Sequence, residues 1–136
     1  MTGDTAPEGI GPHEGRELEL MLAGSKPLAM FGDALGSACE VPEADFAPYV
    51  GNGSIVRREE IYRPPGAGLP GRFVYFARVG EEWRIEAMHR INEALFVRHH
   101  PTTPGIEREI GRLLGYTEAE IDSYLHGIEG KTTGPQ

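Results

Sequence analysis

Glu86, His89, His99 and His100 are the densest concentration of acid–base chemistry in the chain. A carboxylate and three imidazoles within fifteen residues are the types that general acid–base catalysis uses, and Arg84 adds a cation beside them. Spacing decides whether they can cooperate. Glu86 and His89 stand three apart, which on a helix gives one face and half of a carboxylate-bridged metal site. On a strand the same spacing sends them to opposite faces, and a strand through Glu86 is the reading the surrounding residues favour. No second Glu-x-x-His occurs, and His99 and His100 are adjacent, so on extended backbone they point apart. We therefore expect hydrogen-bonded surface histidines, no metal and no cofactor. The enzyme or ligand-binding alternative needs a pocket between sheet and helices built from Arg84, Glu86, His89, His99 and His100.

Other chemistry is thinner. Cys39 follows Gly36-Ser37-Ala38 with no base beside it, and Ser54 is not in a Gly-x-Ser-x-Gly elbow. Arg72, Arg78 and Arg84 together suit an anionic ligand, but pairing with Glu59, Glu60, Glu82 and Glu86 is the default. The aromatics Tyr62, Phe73, Tyr75, Phe76, Trp83 and Phe96 suit base stacking on a sheet, yet on alternating strands they belong to a core.

The elements that must position these residues follow from periodicity and breakers. Leu18, Met21 and Leu22 have helical spacing within 13–23, and Gly24 closes that helix. Residues 27–31 form a short apolar strand; 41–50 hold one irregular helical turn with Phe46 and Tyr49. Residues 54–63 read as a charged edge strand and PPGAGLPG at 64–71 as a loop. Phe73-Val74-Tyr75-Phe76 mark the clearest strand. Gly80-Glu81-Glu82 then turns the chain, and alternation of Trp83, Ile85 and Ala87 gives a hairpin over 72–88 as the centre of an antiparallel sheet. Residues 89–98 fit either strand or helix.

The sharpest local signal is C-terminal. Thr103 caps a helix with Pro104 at its first position, Ile106, Ile110, Leu113 and Leu114 form its stripe, and Gly115 ends it. Thr117-Glu118-Ala119-Glu120 is a capping box for a second helix carrying Ile121, Tyr124, Leu125 and Ile128. Gly111, Leu114, Gly115, Tyr116, Thr117, Ile121 and Leu125 fall on a pattern that resembles helix–turn–helix DNA-binding proteins. The resemblance covers about 20 residues and implies a recognition helix after Thr117. That helix offers Glu118, Glu120 and Asp122 with no lysine, arginine, asparagine or glutamine between Thr117 and Ile128, so phosphates repel it and it carries no usual reader of base edges. Nucleic acid is thus an unlikely partner, and a protein contact through those three carboxylates fits better.

At 136 residues the chain suits one domain, with mobile tails at 1–12 and 129–136 around a 13–128 α+β unit. A small antiparallel sheet carries an N-terminal helix and the C-terminal pair against it. One cysteine, no apolar run long enough to span a bilayer and no signal segment give a cytoplasmic expectation. Arginine over lysine, with Ala, Gly and Pro richness, suggests a GC-rich bacterial gene. The net charge of −8 is uneven: residues 1–55 carry −7, 56–112 carry +2 and 113–136 carry −3. With no catalytic motif, the function expected is that of an acidic accessory or inhibitor-type protein binding another protein, for which a basic surface is the natural complement.

Overall fold

The computed structural model describes residues 15–34, 41–66 and 68–132, with side chains except at 33–34 and 127–132. The expected tail at 1–12, His13 and Cys39 lie outside the described residues. In chain order the elements are α1 (Glu17–Leu22), β1 (Leu28–Ala34), α2 (Glu43–Gly51), β2 (Ile55–Tyr62), β3 (Gly71–Arg78), α3 (Trp83–Asn92), a π-helical turn (Glu93–Val97), α4 (Pro104–Leu114) and α5 (Glu118–Thr132). The strands form one antiparallel sheet in the order β1-β3-β2. The fold is α+β, as the patterning indicates.

β3 is central, and its run Val74-Tyr75-Phe76-Ala77 is wholly buried because helices cover both sheet faces. On one face Ala29, Ile55, Val74 and Phe76 pack with Met21 of α1 and Phe46 of α2. The Phe46 and Phe76 rings stack at 4.1 Å between centroids. On the other face Leu28, Tyr75 and Ala77 meet Ile85 and Met88 of α3 and Leu113 of α4. The segment read as an irregular turn at 41–50 is the full helix α2.

The hairpin expected over 72–88 is half right. Its first arm is β3, but its second arm is α3. Trp83, Ile85 and Ala87 do alternate, yet Ile85, Met88 and Asn92 are the buried residues of this segment. They are spaced as one helical face, and Arg, Glu, Ala and Met are good helix formers. Packing on Tyr75 and Ala77 selects the helical period. Trp83, placed inside by the strand reading, is exposed on the first turn and holds the Arg84 guanidinium 4.6 Å from its ring centre.

The C-terminal pair forms as its caps require. Thr103 Oγ1 accepts from the Ile106 amide, and Gly115 adopts φ +92° at the end of α4. Thr117 and Glu120 exchange side-chain-to-backbone hydrogen bonds at 3.1 and 2.8 Å. Lys26 ties this pair to β1. It is 2% exposed, donates to the Leu114 carbonyl at 2.6 Å and lies 5.0 Å over the Tyr116 ring. Burial pulls its pKa down to about 8, against the pull of Glu17 and Glu120. Among the described residues no helix is long and apolar enough to cross a membrane.

Candidate functional site

The residues proposed for a shared catalytic pocket are dispersed. Arg84 bonds Glu81 at 2.7 Å and the Arg112 and Leu113 carbonyls at the end of α4, where helix carbonyls lack partners. Glu86 accepts from Arg58 at 2.9 Å, which holds its carboxyl below the usual range, and also pairs with Arg90. His89 turns to Tyr62, with Nδ1 2.8 Å from the hydroxyl, and His100 Nδ1 is 2.7 Å from the Pro101 carbonyl. With α3 helical, Glu86 and His89 do share a side of that helix, but their partners differ. No group of three or more His, Cys, Asp or Glu residues at metal-holding distance occurs among the described residues.

The three arginines also part. Arg72 is clamped by Glu59 at 2.9 Å and Glu43 at 2.6 Å, and Arg57 bonds the same two carboxylates from β2. Those hydrogen bonds hold Glu43 and Glu59 below the ordinary carboxylate range. Arg78 lies at the end of β3, near Gly24, while Arg84 is on α3. On α5, Glu118 pairs with Arg108 and Arg112 and Asp122 with Arg108, while Glu120 completes the capping box. Two of the three carboxylates expected to face a partner, Glu118 and Asp122, thus pair with α4, and Glu120 is used as a cap.

What the fold does assemble is an aromatic groove at the end of the sheet where β1 finishes and β3 begins. Its floor is Gly32, Phe73 and Tyr62; one wall is Pro64, Gly68, Leu69 and Pro70 and the other Leu95, Phe96 and His99. The open space is about 530 Å³. Phe73 lies 5.3 Å from Tyr62, edge-on, and 5.2 Å from Phe96 between ring centres. Gly32 is required there, because a Cβ would stand 2.6 Å from the Phe73 ring. Leu69 at 71% and Phe96 at 43% exposure leave the rim apolar in water.

The second wall is unusual backbone. After α3 the helix widens, with Arg98 N–H donating to the Glu93 carbonyl five residues back. The next residue, His99, has φ +55°, the left-handed region, and no other non-glycine described residue has positive φ. π-turns and left-handed residues outside glycine cost energy and concentrate at functional sites.

Behind the floor runs a polar chain. Asn92 Nδ2 donates to the Tyr75 hydroxyl at 2.7 Å; the Tyr75 and Tyr62 hydroxyls are 2.5 Å apart; Tyr62 reaches His89 Nδ1. An amide nitrogen only donates, so Tyr75 passes its proton toward Tyr62 and Tyr62 toward His89. Burial holds the Tyr62 phenol far above its ordinary pKa, so it stays protonated. The hydrogen bonds to Tyr75 and His89 thus fix Tyr62 as part of the floor. The lining offers ring stacking and apolar burial, and no Asp, Glu, Lys or Arg is among the described residues of that lining.

The sequence signals for this groove were the Pro/Gly loop at 64–71 and the aromatics at 62, 73 and 96. Those three stand together in the aromatic group that the alternating pattern assigns to a core, with no open groove expected. A smaller cleft of about 190 Å³ lies between α4 and α5, around Gly111, Tyr116 and Tyr124. Comparison of the chain with protein-family models, curated proteins and solved structures returns no match.

Proposed function

We propose that this protein acts by protein–protein interaction, as an acidic accessory or inhibitor-type factor that holds an apolar anchor of its partner in the aromatic groove. The observation that carries the reading is the open groove itself, with Leu69 and Phe96 exposed on its rim beside Phe73 and Tyr62. Contiguous exposed apolar patches mark interaction sites, and a buried aromatic anchor contributes about 2 kcal/mol or more to binding. The net charge of −8 favours a basic partner by steering its approach. A single cysteine and the arginine-over-lysine bias support a bacterial cytoplasmic setting.

Affinity capture from the source cells with wild-type, Phe96→Asp and Glu118→Gln baits tests this. A partner lost with Phe96→Asp and kept with Glu118→Gln supports the groove. A partner kept by Phe96→Asp and lost with Glu118→Gln moves the contact to α5 and overturns it. A second reading, a domain binding a small aromatic ligand, draws on the groove volume, which lies among ligand-pocket sizes of roughly 300–1,000 Å³. Thermal-shift screening with aromatic metabolites distinguishes it.

A further inference from the structure

We propose that the groove's occupant is an extended segment of a partner polypeptide that pairs with the outer edge of β1 and seats one uncharged aromatic or large aliphatic side chain beside Gly32. The proposal rests on the groove reading above and specifies its geometry.

The edge is defined by the register. Arg78 N–H donates to the Pro27 carbonyl, so Pro27 and Arg78 are a hydrogen-bonded antiparallel pair. Bonded and non-bonded pairs alternate. With Leu28 opposite Ala77, the bonded pairs are therefore Ala29–Phe76 and Phe31–Val74, while Met30 and Gly32 face Tyr75 and Phe73 without ladder bonds. The N–H and C=O groups of Met30 and Gly32 point away from β3. No strand among the described residues pairs with that side.

The two edges of the sheet differ in chemistry. On β2 the same argument, from Val79 N–H to the Ser54 carbonyl, turns Arg57 and Glu59 outward. Their side chains are locked into ion pairs with Glu43 and Arg72, a charged edge of the kind that resists strand addition. From Leu28 to Gly32 β1 carries no charge, and Gly32 leaves its backbone exposed.

A residue paired beside Gly32 projects to the same sheet face as Gly32, which is the face of Phe73 and the groove. One contact along the edge thus delivers one side chain into the aromatic site. Charge complementarity sets its type. The described lining holds no Asp, Glu, Lys or Arg, so a charged anchor would lose water without a counter-charge. The chain as a whole carries −8, so long-range steering favours a basic partner polypeptide over a second acidic copy. A second copy of the chain pairing β1 with β1 is the competing occupant and meets like charge.

Random linear peptides displayed on phage, selected on the full-length chain and then synthesised, provide the probe. The proposal expects binders with an uncharged bulky anchor, lost with Phe96→Asp. N-methylation of the alternate peptide amides that face β1, the anchor's own among them when the peptide runs antiparallel, should weaken them about tenfold or more, and methylation of the amides between them should not. Exchange of the Met30 and Gly32 amides should slow in the complex. Binders that need Phe96 but ignore N-methylation, with Met30 and Gly32 exchange unchanged, overturn strand addition and leave the groove reading intact. A library yielding no Phe96-dependent binder overturns both. A dimer by sedimentation, with Met30 and Gly32 already protected in the absence of peptide, gives the edge to a second copy and overturns the peptide occupant.

Discussion

Removing one oxygen from the polar chain behind the groove has a calculable effect. Tyr75 is 0% exposed, and its hydroxyl takes the Asn92 amide proton while donating to Tyr62. In Tyr75→Phe a buried amide N–H loses its oxygen acceptor and keeps only the weak Met30 sulfur at 3.3 Å. An unsatisfied buried donor costs about 1–3 kcal/mol and a lost hydrogen bond about 1 kcal/mol net, giving a loss of about 2–4 kcal/mol. Tyr62→Phe instead strands the Tyr75 proton, while the half-buried His89 can turn to water, for about 2 kcal/mol. In the double variant the stranded proton no longer exists, so the effects overlap by about 1–2 kcal/mol. Urea denaturation of the four proteins measures the cycle, with the slope m unchanged if only stability moves. A coupling below about 0.3 kcal/mol would refute a directional chain and with it the argument that Tyr62 is a fixed part of the floor.

Other expectations follow from single observations. Lys26 has a folded pKa of about 8 against an ordinary 10.5, so between these values the unfolded chain binds more protons and stability rises with pH. From pH 7 to 10 the gain is about 2 kcal/mol, and above pH 10 the raised phenols Tyr62, Tyr75 and Tyr124 reverse it, because the unfolded chain loses those protons first. Chemical denaturation across pH should show a maximum near pH 10 that Lys26→Met flattens on its rising side. Gly115→Ala meets φ +92° and places a Cβ 2.6 Å from Pro27 Cδ, so a loss of about 2–3 kcal/mol is expected in the same assay. Gly32→Ala sets a Cβ 2.6 Å from the Phe73 ring, which must move; its Phe73 resonances should shift, with a stability loss of about 1–3 kcal/mol.

What could be read from the sequence was what local chemistry decides. The caps at Thr103, Thr117, Glu120 and Gly115 are set by residues within one turn of each other, and they formed as written. The strand at Phe73–Phe76 and the charged edge at 54–63 were legible for the same reason. Segment 83–88 was not, because Ile85 and Met88 satisfy one period and Trp83, Ile85 and Ala87 another. Only packing against Tyr75 and Ala77, more than seven residues away, chooses. The groove inherits that difficulty. Gly32, Tyr62, Phe73 and Phe96 come from four separate elements, and their convergence depends on sheet order and on the π-turn after α3. The acidic face of α5 looked free in sequence because the arginines that meet it, Arg108 and Arg112, belong to the preceding helix.

The most direct test of the central claim is to locate bound polypeptide on the molecule by NMR, with methyl groups and aromatic rings labelled. Titration with a captured partner or a selected peptide should shift Leu69 and Leu95 methyls and the Phe73 and Phe96 rings first, with Ile121 and Leu125 on α5 unmoved. Shifts confined to α5, with Leu69, Leu95, Phe73 and Phe96 unchanged at saturation, would contradict it.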